Sequence, residues 1–276
     1  MLYDSHVHSC HSPDSRQPFE EICTQALARG LQGIAITDHA DVWCMERFGT
    51  LEKIAGSIAQ AQAADARYGD RLRVFCGVEL AEYQDAPAAG DQVLALTRYD
   101  VVLSSVHAVM FEDWNDFYSG VDFSPEAAPE DKVLRFLDAY FRKVLRMAKY
   151  DDFDVLTHLT CPLRYINGKY HRGLSWKPFA DTIEQILEVL ICREKALEVN
   201  TSGIGSFYGE YMPPREILEQ YCRMGGRLIT LGSDAHTADR LGSAFAETAA
   251  MLQEIGFPGY YYYEQRMPRF VPWEDR

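Results

Sequence analysis

Short apolar runs rich in β-branched residues alternate along the chain with longer segments of helical periodicity. Seven such runs occupy residues 2–7, 33–37, 71–80, 101–106, 154–157, 196–199 and 227–231. Because their apolar positions are nearly continuous, they are typical of strands buried on both faces of a parallel sheet. The segments between them predict helices over 18–30, 51–68, 129–149, 179–195, 214–224 and 242–255. The pattern predicts an α/β fold, either a doubly wound open sheet or a closed barrel.

Polar residues that can bind metals follow these runs. Six of the eight histidines lie at or just beyond the carboxyl end of a predicted strand: His6, His8, His39, His107, His158 and His236. The third run ends in Glu79, the sixth in Asn200, and Asp234 stands two residues before His236. An open sheet gathers its site at one switch point, whereas a barrel recruits residues from nearly every strand end. We therefore expect a closed or nearly closed barrel with its site at the carboxyl ends of the strands.

Imidazole nitrogen and carboxylate oxygen are donors that suit Zn, Mn or Fe. His6 and His8 share one face of a strand because side chains alternate with a period of two. Glu79 stands in an apolar run, and a buried carboxylate is costly unless it is paired or metal-bound. The candidate ligands outnumber what one ion needs, so two or three divalent metal ions are expected, with Glu79 suited to bridging two of them. Taken singly, each position has a structural alternative; Asp38 and Asp234, for example, could each cap a helix.

The composition of the chain limits the class of protein, the partners and the location that can be expected. The chain has 276 residues and a net charge of −14, and 47% of its residues are hydrophobic, as in an ordinary globular protein. The acidic balance argues against a nucleic-acid partner, and no apolar run is long enough to span a membrane. The N-terminus lacks the features of a secretory signal, and the seven cysteines are scattered, so we expect a cytoplasmic protein with reduced thiols. We predict one domain over 1–276 with an aromatic-rich tail from about 258, whose role is left open with the oligomeric state.

Six motifs in order along the chain resemble those of the PHP (polymerase and histidinol phosphatase) family, most closely its histidinol-phosphatase branch. They are Asp4-Ser5-His6-Val7-His8-Ser9, Ile36-Thr37-Asp38-His39, Gly77-Val78-Glu79-Leu80, Ser105-Val106-His107, Thr157-His158 and Gly232-Ser233-Asp234-Ala235-His236. The resemblance implies a single distorted (β/α)7 TIM-like barrel. It also implies three metal sites: His6, His8, Glu79 and Asp234; Glu79, His107 and His158; and Asp14, His39 and His236.

The resemblance further implies a metal-dependent phosphomonoester hydrolase that uses a metal-bridging hydroxide, with L-histidinol phosphate of histidine biosynthesis as substrate. Asp234 and His236 would be the catalytic acid–base residues and Arg164 would bind the phosphate, since a guanidinium can hold two phosphate oxygens at once. Two positions depart from the family pattern. Asp14 stands where the branch usually has histidine, and Gly205 where it often has a phosphate-binding arginine. The basic residues Lys169, His171, Arg172 and Lys177 are candidates to replace that cation.

Other functions fit parts of the same pattern. A phosphotyrosine-protein phosphatase or another phosphoesterase of the family would need an aromatic mouth, for which Trp43, Phe48, Trp114, Phe117 and Tyr118 are candidates. A metal-dependent amidohydrolase shares the His-x-His opening but generally needs a lysine at a strand end, which this chain lacks. A non-catalytic barrel that binds metals or a metabolite is the alternative outside the enzymes.

Overall fold

A computed structural model describes residues 1–273. Its centre is a parallel sheet of eight strands: β1 (Tyr3–Val7), β2 (Gly33–Ile36), β3 (His39–Asp41), β4 (Arg73–Ala81), β5 (Val101–Ser105), β6 (Val155–Leu156), β7 (Ala196–Asn200) and β8 (Ile229–Gly232). β3 continues the line of β2, since Gly33 in β2 pairs with Arg73 at the start of β4 and His39 in β3 pairs with Glu79 further along. The sheet thus has seven strand positions, which match the seven predicted runs.

The first and last strands meet only near their carboxyl ends. The Asp234 amide donates a hydrogen bond to the His6 carbonyl (2.9 Å), and the His8 amide donates to the Ala235 carbonyl (3.0 Å). Val7 and Ala235 form a single parallel bridge, and no further pairing joins β1 to β8 within residues 1–273. The sheet is therefore nearly closed into a barrel, which confirms the predicted fold class over the open-sheet alternative.

Helices cover the outside of the barrel: α1 (Phe19–Ala28), α2 (Met45–Phe48), α3 (Thr50–Tyr68), α4 (Pro87–Leu94), α5 (Glu130–Tyr150), α6 (Cys161–Leu163), α7 (Ala180–Cys192), α8 (Arg215–Arg223) and α9 (Phe245–Ile255). The six predicted helices are all present, with ends shifted by a few residues. Sequence reasoning missed α4, which buries only Gly90 and Val93 and so has no apolar stripe to reveal it.

The inside of the barrel changes from apolar to polar along β4 and β7. In β4 the inward positions run from Phe75 to Glu79, and in β7 they run from Ala196 to Glu198, with a step of two residues. The lower positions form a small apolar core of Ala35, Phe75, Val101, Leu103, Val155 and Ala196, while the upper carboxylates are fully buried. The alternation of strand side chains thus places an apolar floor beneath a polar rim.

A C-terminal hairpin closes the opposite, amino-terminal end of the barrel. It pairs β9 (Gly259–Glu264) with β10 (Met267–Pro272) in antiparallel register. The Tyr262 ring stacks on Tyr3 at 4.0 Å, and buried Tyr263 joins the small apolar core. The aromatic tail, whose role the sequence left open, therefore closes the barrel. Residues 274–276 of that tail, and of the predicted single domain, lie outside the described residues.

No helix of residues 1–273 is both long and apolar enough to cross a membrane, and all seven cysteines are free thiols.

Candidate metal centre

The carboxyl-end rim of the barrel brings together every side chain that was predicted to bind metal. β1 supplies His6, β4 supplies Glu79, and the other donors come from the loops that follow β1, β5, β6 and β8, with His39 at the start of β3. Glu79 lies at the centre of this group and is fully buried. Its Oε2 lies 2.8 Å from His39 Nδ1, and its Oε1 lies 2.9 Å from His158 Nε2 and 3.2 Å from His107 Nε2.

Four of the imidazoles are fixed through Nδ1 by an oxygen, so that Nε2 faces the cluster. His6 Nδ1 lies 2.6 Å from Glu198 Oε1, and His107 Nδ1 lies 2.8 Å from Asp41 Oδ1. His236 Nδ1 lies 3.0 Å from the Asp234 carbonyl. Such partners set the tautomer of metal-binding histidines in general, because they leave the Nε2 lone pair for the ion.

His8 is held in the same way by a serine. The Ser12 hydroxyl donates its proton to Asp38 (2.8 Å), so its oxygen accepts a hydrogen bond from His8 Nδ1 (2.9 Å). His8 Nε2 then lies only 3.0 Å from His6 Nε2. When each Nδ1 carries its proton, both Nε2 atoms present lone pairs to each other, an arrangement that a shared cation relieves.

One group of donors has several pairs at the spacing of tetrahedral metal ligands. It consists of His6 Nε2, His8 Nε2, Glu79 Oε2 and Asp234 Oδ1. Five of the six distances within it are 3.0, 3.4, 3.6, 3.3 and 3.7 Å. Tetrahedral ligands at zinc bond lengths lie about 3.3–3.4 Å apart. His6, His8 and Asp234 therefore form a group that could hold an ion, and Glu79 Oε2 lies within 3.6 Å of both histidines.

The other two predicted groups are also assembled. Asp14 Oδ2 lies 3.1 Å from His236 Nε2 and 3.6 Å from His39 Nε2, and those two nitrogens are 3.4 Å apart. His107 Nε2 and His158 Nε2 lie 3.2 Å and 2.9 Å from Glu79 Oε1. The grouping of the donors differs from the expectation in two respects, since His39 also groups with Glu79 and His107, and His8 also groups with His39 and His236. His39 turns Nδ1 to Glu79 and Nε2 to Asp14, so it stands between the second and third groups.

Glu79 Oε2 and His39 Nδ1 lie 2.8 Å apart without the geometry of a hydrogen bond, and neither they nor the buried His158 Nδ1 have a hydrogen-bond partner within residues 1–273. Buried polar atoms are normally paired, and an unpaired one costs about 1–3 kcal/mol. A bound cation would satisfy the carboxylate oxygen of Glu79 and the lone pair of His39. The described residues therefore fit divalent metal ions. The number of ions, their identity and the assignment of each ligand stay predictions.

The charges of the cluster are interdependent. Burial alone would raise the pKa of Glu79, but His107, His39 and His6 hold it well below its ordinary value. Burial, with His236 and His39 nearby, lowers the pKa of His8 to about 3, so this imidazole is neutral. Burial alone would lower the pKa of His39 and His107, but Glu79 and the other nearby carboxylates hold it well above its ordinary value. Metal binding needs neutral imidazoles, so it would displace protons from these two residues.

Two of the cluster residues have left-handed backbone conformations. The φ angle is 21° at His158 and 51° at Asp234, and such conformations cost about 1–3 kcal/mol in residues other than glycine. Hydrogen bonds hold them in place, since the His158 amide donates to Glu198 Oε2 (2.8 Å) and the Asp234 amide to the His6 carbonyl (2.9 Å). The strain is typical of a site where side-chain direction matters more than local stability.

A cavity of about 320 Å³ opens directly above the cluster. Asp14, His39, His107, His158, Asp234 and His236 form its floor, and Phe48, Phe117, Tyr118 and Tyr165 form its apolar wall. Arg164 is the one Lys or Arg side chain among the lining residues. It donates to Ser202 Oγ (2.9 Å) and Tyr165 Oη (2.8 Å), and its Nη1 lies 3.7 Å from Asp234 Oδ2. An anion in this cavity would meet a guanidinium on one side and the metal ligands on the other.

Comparison with known proteins decides the family. Residues 4–202 match the model of the PHP domain, which is more than half of the chain. This chain belongs to the PHP domain family. The predicted resemblance is thereby confirmed, and the match includes all the motifs except the one at Asp234 and His236.

Relatives of the PHP chain match more than nine-tenths of its length. It is 27% identical over 263 residues to a probable histidinol-phosphatase of Thermotoga maritima, covering 93% of both chains. It is 27% identical over 262 residues to a histidinol-phosphatase of Lactococcus lactis, covering 92% of this chain and 91% of the relative. The fold resembles the Lactococcus lactis histidinol phosphate phosphatase crystallised with zinc, L-histidinol and phosphate, with a TM-score of 0.77, 21% identity, and coverage of 97% and 98%.

The candidate replacements for the missing cation at Gly205 lie elsewhere in the PHP chain. Lys169, His171, Arg172 and Lys177 are not among the residues that line the cavity. Arg172 donates to the carbonyls of Phe123 and Ala128, and so ties two loops together. A side chain at Gly205 would instead meet the guanidinium of Arg240, 3.7 Å from its β-carbon.

Sequence reasoning missed the residues that position the ligands. Glu198 holds His6 and the His158 amide, and Gly232 gives it room, since a β-carbon there would lie 2.1 Å from Glu198 Oε1. Asp38 is not a helix cap; it accepts hydrogen bonds from Ser9, Ser12 and Ser57. The signal for Glu198 was present, because it is a carboxylate in an apolar run just as Glu79 is.

His11 and the aromatic residues that were candidates for a substrate mouth differ in whether they line the cavity. His11 packs in the space beside Gly56 and against Phe19, away from the cavity, and so has a structural role. Phe48, Phe117 and Tyr118 line the cavity, whereas Trp114 packs on Phe123 and Phe136 and Trp43 packs behind Phe117.

Proposed function

We propose that this PHP chain hydrolyses L-histidinol phosphate to L-histidinol and inorganic phosphate, with two or three divalent ions held at the barrel rim. The observation that carries the proposal is the orientation of four imidazoles, each fixed through Nδ1 with Nε2 turned to a buried carboxylate cluster. Family membership and the names of the relatives support a hydrolase of phosphoric monoesters. The choice of L-histidinol phosphate rests on the named activity of those relatives.

Nine side chains would hold the ions: His6, His8, Asp14, His39, Glu79, His107, His158, Asp234 and His236. Bound divalent ions lower the pKa of water and neutralise phosphate charge. Without them the phosphate dianion would meet the buried carboxylates Glu79 and Asp234 in a chain of net charge −14. The same carboxylates therefore make substrate binding depend on the ions.

Arg164 would bind the phosphate. Its guanidinium is held by Ser202 and Tyr165 and lines the cavity, so its direction is fixed before substrate arrives. A preorganised donor of this kind stabilises the charge that phosphoryl transfer places on the equatorial oxygens. Asp234 lies between Arg164 and the cluster, within 3.7 Å of both Arg164 Nη1 and His6 Nε2, and so links phosphate binding to the ligands.

Asp234 would take a proton from the attacking water on Oδ2, the oxygen left free when Oδ1 holds an ion. His236 would donate a proton to the departing alkoxide only from an Nε2 that holds no ion. Both side chains line the cavity, and His236 is the more exposed, at 28%. Its Nδ1 is hydrogen-bonded to the Asp234 carbonyl, which fixes the ring relative to Asp234. The apolar wall of Phe48 and Phe117 would contact the organic part of the substrate.

That wall also supports a second candidate, a phosphotyrosine phosphatase, because aromatic rings can pack against a phenyl ester. Release of phosphate from L-histidinol phosphate and from a phosphotyrosine peptide, by protein loaded with zinc or manganese, distinguishes the two. We expect kcat/KM for L-histidinol phosphate to be higher by at least about 100-fold, a difference of roughly 2.7 kcal/mol in activation free energy. A preference for the peptide would select the second candidate. No release from either ester, nor from p-nitrophenyl phosphate, would contradict an enzyme and favour a metal- or metabolite-binding barrel.

A further inference from the structure

Asn200, at the carboxyl end of β7, lies between the metal centre and the loop that holds Arg164. Among the polar residues that end the predicted strands, it alone is not an expected metal ligand. Its side chain is fully buried. Its backbone pairs with Met212, since the Asn200 amide donates to the Met212 carbonyl (3.2 Å) and the Met212 amide donates to the Asn200 carbonyl (3.1 Å). Met212 therefore fixes the position from which the side chain makes its own hydrogen bonds.

The side-chain nitrogen of Asn200 faces two buried carboxylates of the metal centre. Nδ2 donates to Glu198 Oε2 (3.0 Å) and, at 3.5 Å, to Asp234 Oδ2. The same Glu198 holds the His158 amide through Oε2 and lies 2.6 Å from His6 Nδ1 through Oε1. A primary amide has two N–H donors, so each carboxylate can accept one. Asn200 thus supports one predicted ligand directly and the carboxylate that positions two others.

The side-chain oxygen of Asn200 faces Ser202, which holds Arg164. Oδ1 accepts from the Ser202 amide (3.0 Å) and from the Ser202 hydroxyl (2.7 Å). That hydroxyl has a single proton, which goes to the nearer Asn200 oxygen rather than to Asp234 Oδ2 at 3.3 Å. The Ser202 oxygen in turn accepts from Arg164 Nη1 (2.9 Å). A continuous path of hydrogen bonds therefore runs from the guanidinium through these two side chains to Glu198.

An amide is the group that suits this position. The Ser202 amide can only donate and an ionised carboxylate can only accept, so the Asn200 side chain has one orientation. An aspartate here would place a third carboxylate beside Glu198 and Asp234, where buried like charges repel each other. Neither Asn200 nor Ser202 is among the described residues that line the cavity. Both therefore act through side chains that do line it.

We propose that Asn200 and Ser202 form a positioning pair, which couples phosphate binding at Arg164 to the geometry of the metal ligands. The Ser202 hydroxyl sets the direction of Arg164. Asn200 sets the direction of that hydroxyl and restrains two carboxylates of the metal centre. Loss of Asn200 then weakens both phosphate binding and metal binding, whereas loss of the Ser202 hydroxyl weakens phosphate binding alone. The inference rests on the proposed function for the roles of Arg164 and the ions, but its test needs no turnover.

Two affinities test the pair. The affinity for inorganic phosphate is measured by titration calorimetry on zinc-loaded protein, and the affinity for zinc by competition with a chromogenic chelator. We expect Asn200→Ala to raise the Kd for phosphate about fivefold to 20-fold and to weaken zinc binding about tenfold, as loss of a group that orients metal ligands does. Thr230→Val is the matched control, because it removes a buried hydroxyl on β8 that has no hydrogen-bond partner within residues 1–273. It should leave both affinities within about twofold of wild type.

Ser202 separates the two effects. Ser202→Ala should raise the Kd for phosphate about threefold to tenfold, with zinc binding within about twofold of wild type. Ser202→Thr keeps the hydroxyl and should restore phosphate binding. In an Arg164→Gln background, Ser202→Ala should add less than about a twofold loss, because its effect runs through Arg164. Ser206→Ala is the control, since the Ser206 hydroxyl donates to the Gly203 carbonyl in the same loop (2.6 Å).

Three results would overturn the proposal: a phosphate Kd for Ser202→Ala equal to that of Ser206→Ala, the same loss from Ser202→Ala with and without Arg164, or an Asn200→Ala protein in which only one of the two affinities changes. The first two need no Asn200 variant, so they decide the matter even where Asn200→Ala does not fold. Phosphate binding that depends on the pair in a protein that hydrolyses no ester would contradict the proposed function and leave this inference standing. Hydrolysis by a protein whose affinities ignore both residues would do the reverse.

Discussion

Glu198 Oε1 lies 2.6 Å from His6 Nδ1, and Glu198 Oε2 accepts a hydrogen bond from the His158 amide at 2.8 Å. One buried carboxylate thus fixes the ring of His6 on β1 and the backbone of His158 after β6. Because His158 has a φ of 21°, this second hydrogen bond offsets backbone strain directly. Glu198 would contact no ion itself, yet it determines how two ligands from distant strands face the cluster.

Replacing Glu198 with glutamine should weaken metal binding without unfolding the barrel. The amide keeps the size of the side chain but cannot accept from both His6 and the His158 amide. Loss of such a partner typically lowers metal affinity about 10–100-fold. Competition with a chromogenic chelator measures this affinity. Glu188→Gln, at an exposed position of α7, should bind metal as wild type does; equal affinity in the two variants would show that Glu198 does not position the ligands.

Arg164→Gln should weaken binding of the phosphate group, while the number of metal ions bound per chain stays unchanged. A hydrogen bond to a charged group contributes about 1.5–3 kcal/mol, so kcat/KM should fall about 10–150-fold. Product inhibition by inorganic phosphate should weaken in parallel. Arg142→Gln removes an exposed guanidinium paired with Asp138 on α5 and serves as the control. Kinetics of Arg164→Gln within threefold of that control would rule out a phosphate-binding role.

The hairpin that closes the base of the barrel should be important for stability. Tyr263 is 4% exposed and packs inside the barrel with Phe75 and Leu103. Tyr263→Ala would leave a cavity, and removal of a buried aromatic side chain costs about 3–5 kcal/mol. Tyr261, which packs on exposed Phe270, is the neighbouring control, with an expected loss below about 1 kcal/mol. Urea unfolding compares the two, and equal losses would mean that the hairpin does not complete the core.

Asp151 should make the chain less stable as pH rises. Burial raises the pKa of this carboxyl to about 6, although Gln84, Arg146 and Arg193 favour the charged form. A carboxyl whose pKa is higher in the folded state binds its proton more tightly there, so its contribution is lost between about pH 4 and pH 6. Asp151→Asn should therefore be more stable than wild type by about 1–3 kcal/mol above pH 6.

The same variant should approach wild type near pH 4. Unfolding of both proteins under identical metal loading, from pH 4 to pH 8, isolates the effect of Asp151 because other groups cancel in the difference. A stability difference that does not change with pH would contradict the raised pKa.

Strand count and ligand convergence could be read from the sequence because both have simple periodic signatures. The apolar runs mark strands covered on both faces, and the polar residue after each run must lie at the shared carboxyl edge. Helix α4 and the hairpin were not predicted as elements: α4 has no apolar stripe, and the four consecutive tyrosines of 260–263 lack the alternation of apolar and polar residues that marks a strand. Their positions depend on tertiary contacts that no local pattern encodes.

The residues that position the predicted metal ligands were harder to predict than the ligands themselves. Asp38 stood out beside His39, but only the fold shows that it binds three serines rather than capping a helix. Arg240 was not singled out at all, because its relation to Gly205 spans 35 residues and depends on how two loops meet. Contacts between loops are set by the packing of the whole rim, so one sequence gives little indication of them.

Removal and return of the metal ions tests the central claim most directly. Purified protein would be dialysed against a chelator until atomic emission shows less than about 0.05 ion per chain, then titrated with zinc or manganese while phosphate release from L-histidinol phosphate is followed. We predict that activity disappears with the ions and returns as two or three ions bind per chain. Undiminished hydrolysis by fully metal-free protein would contradict the account.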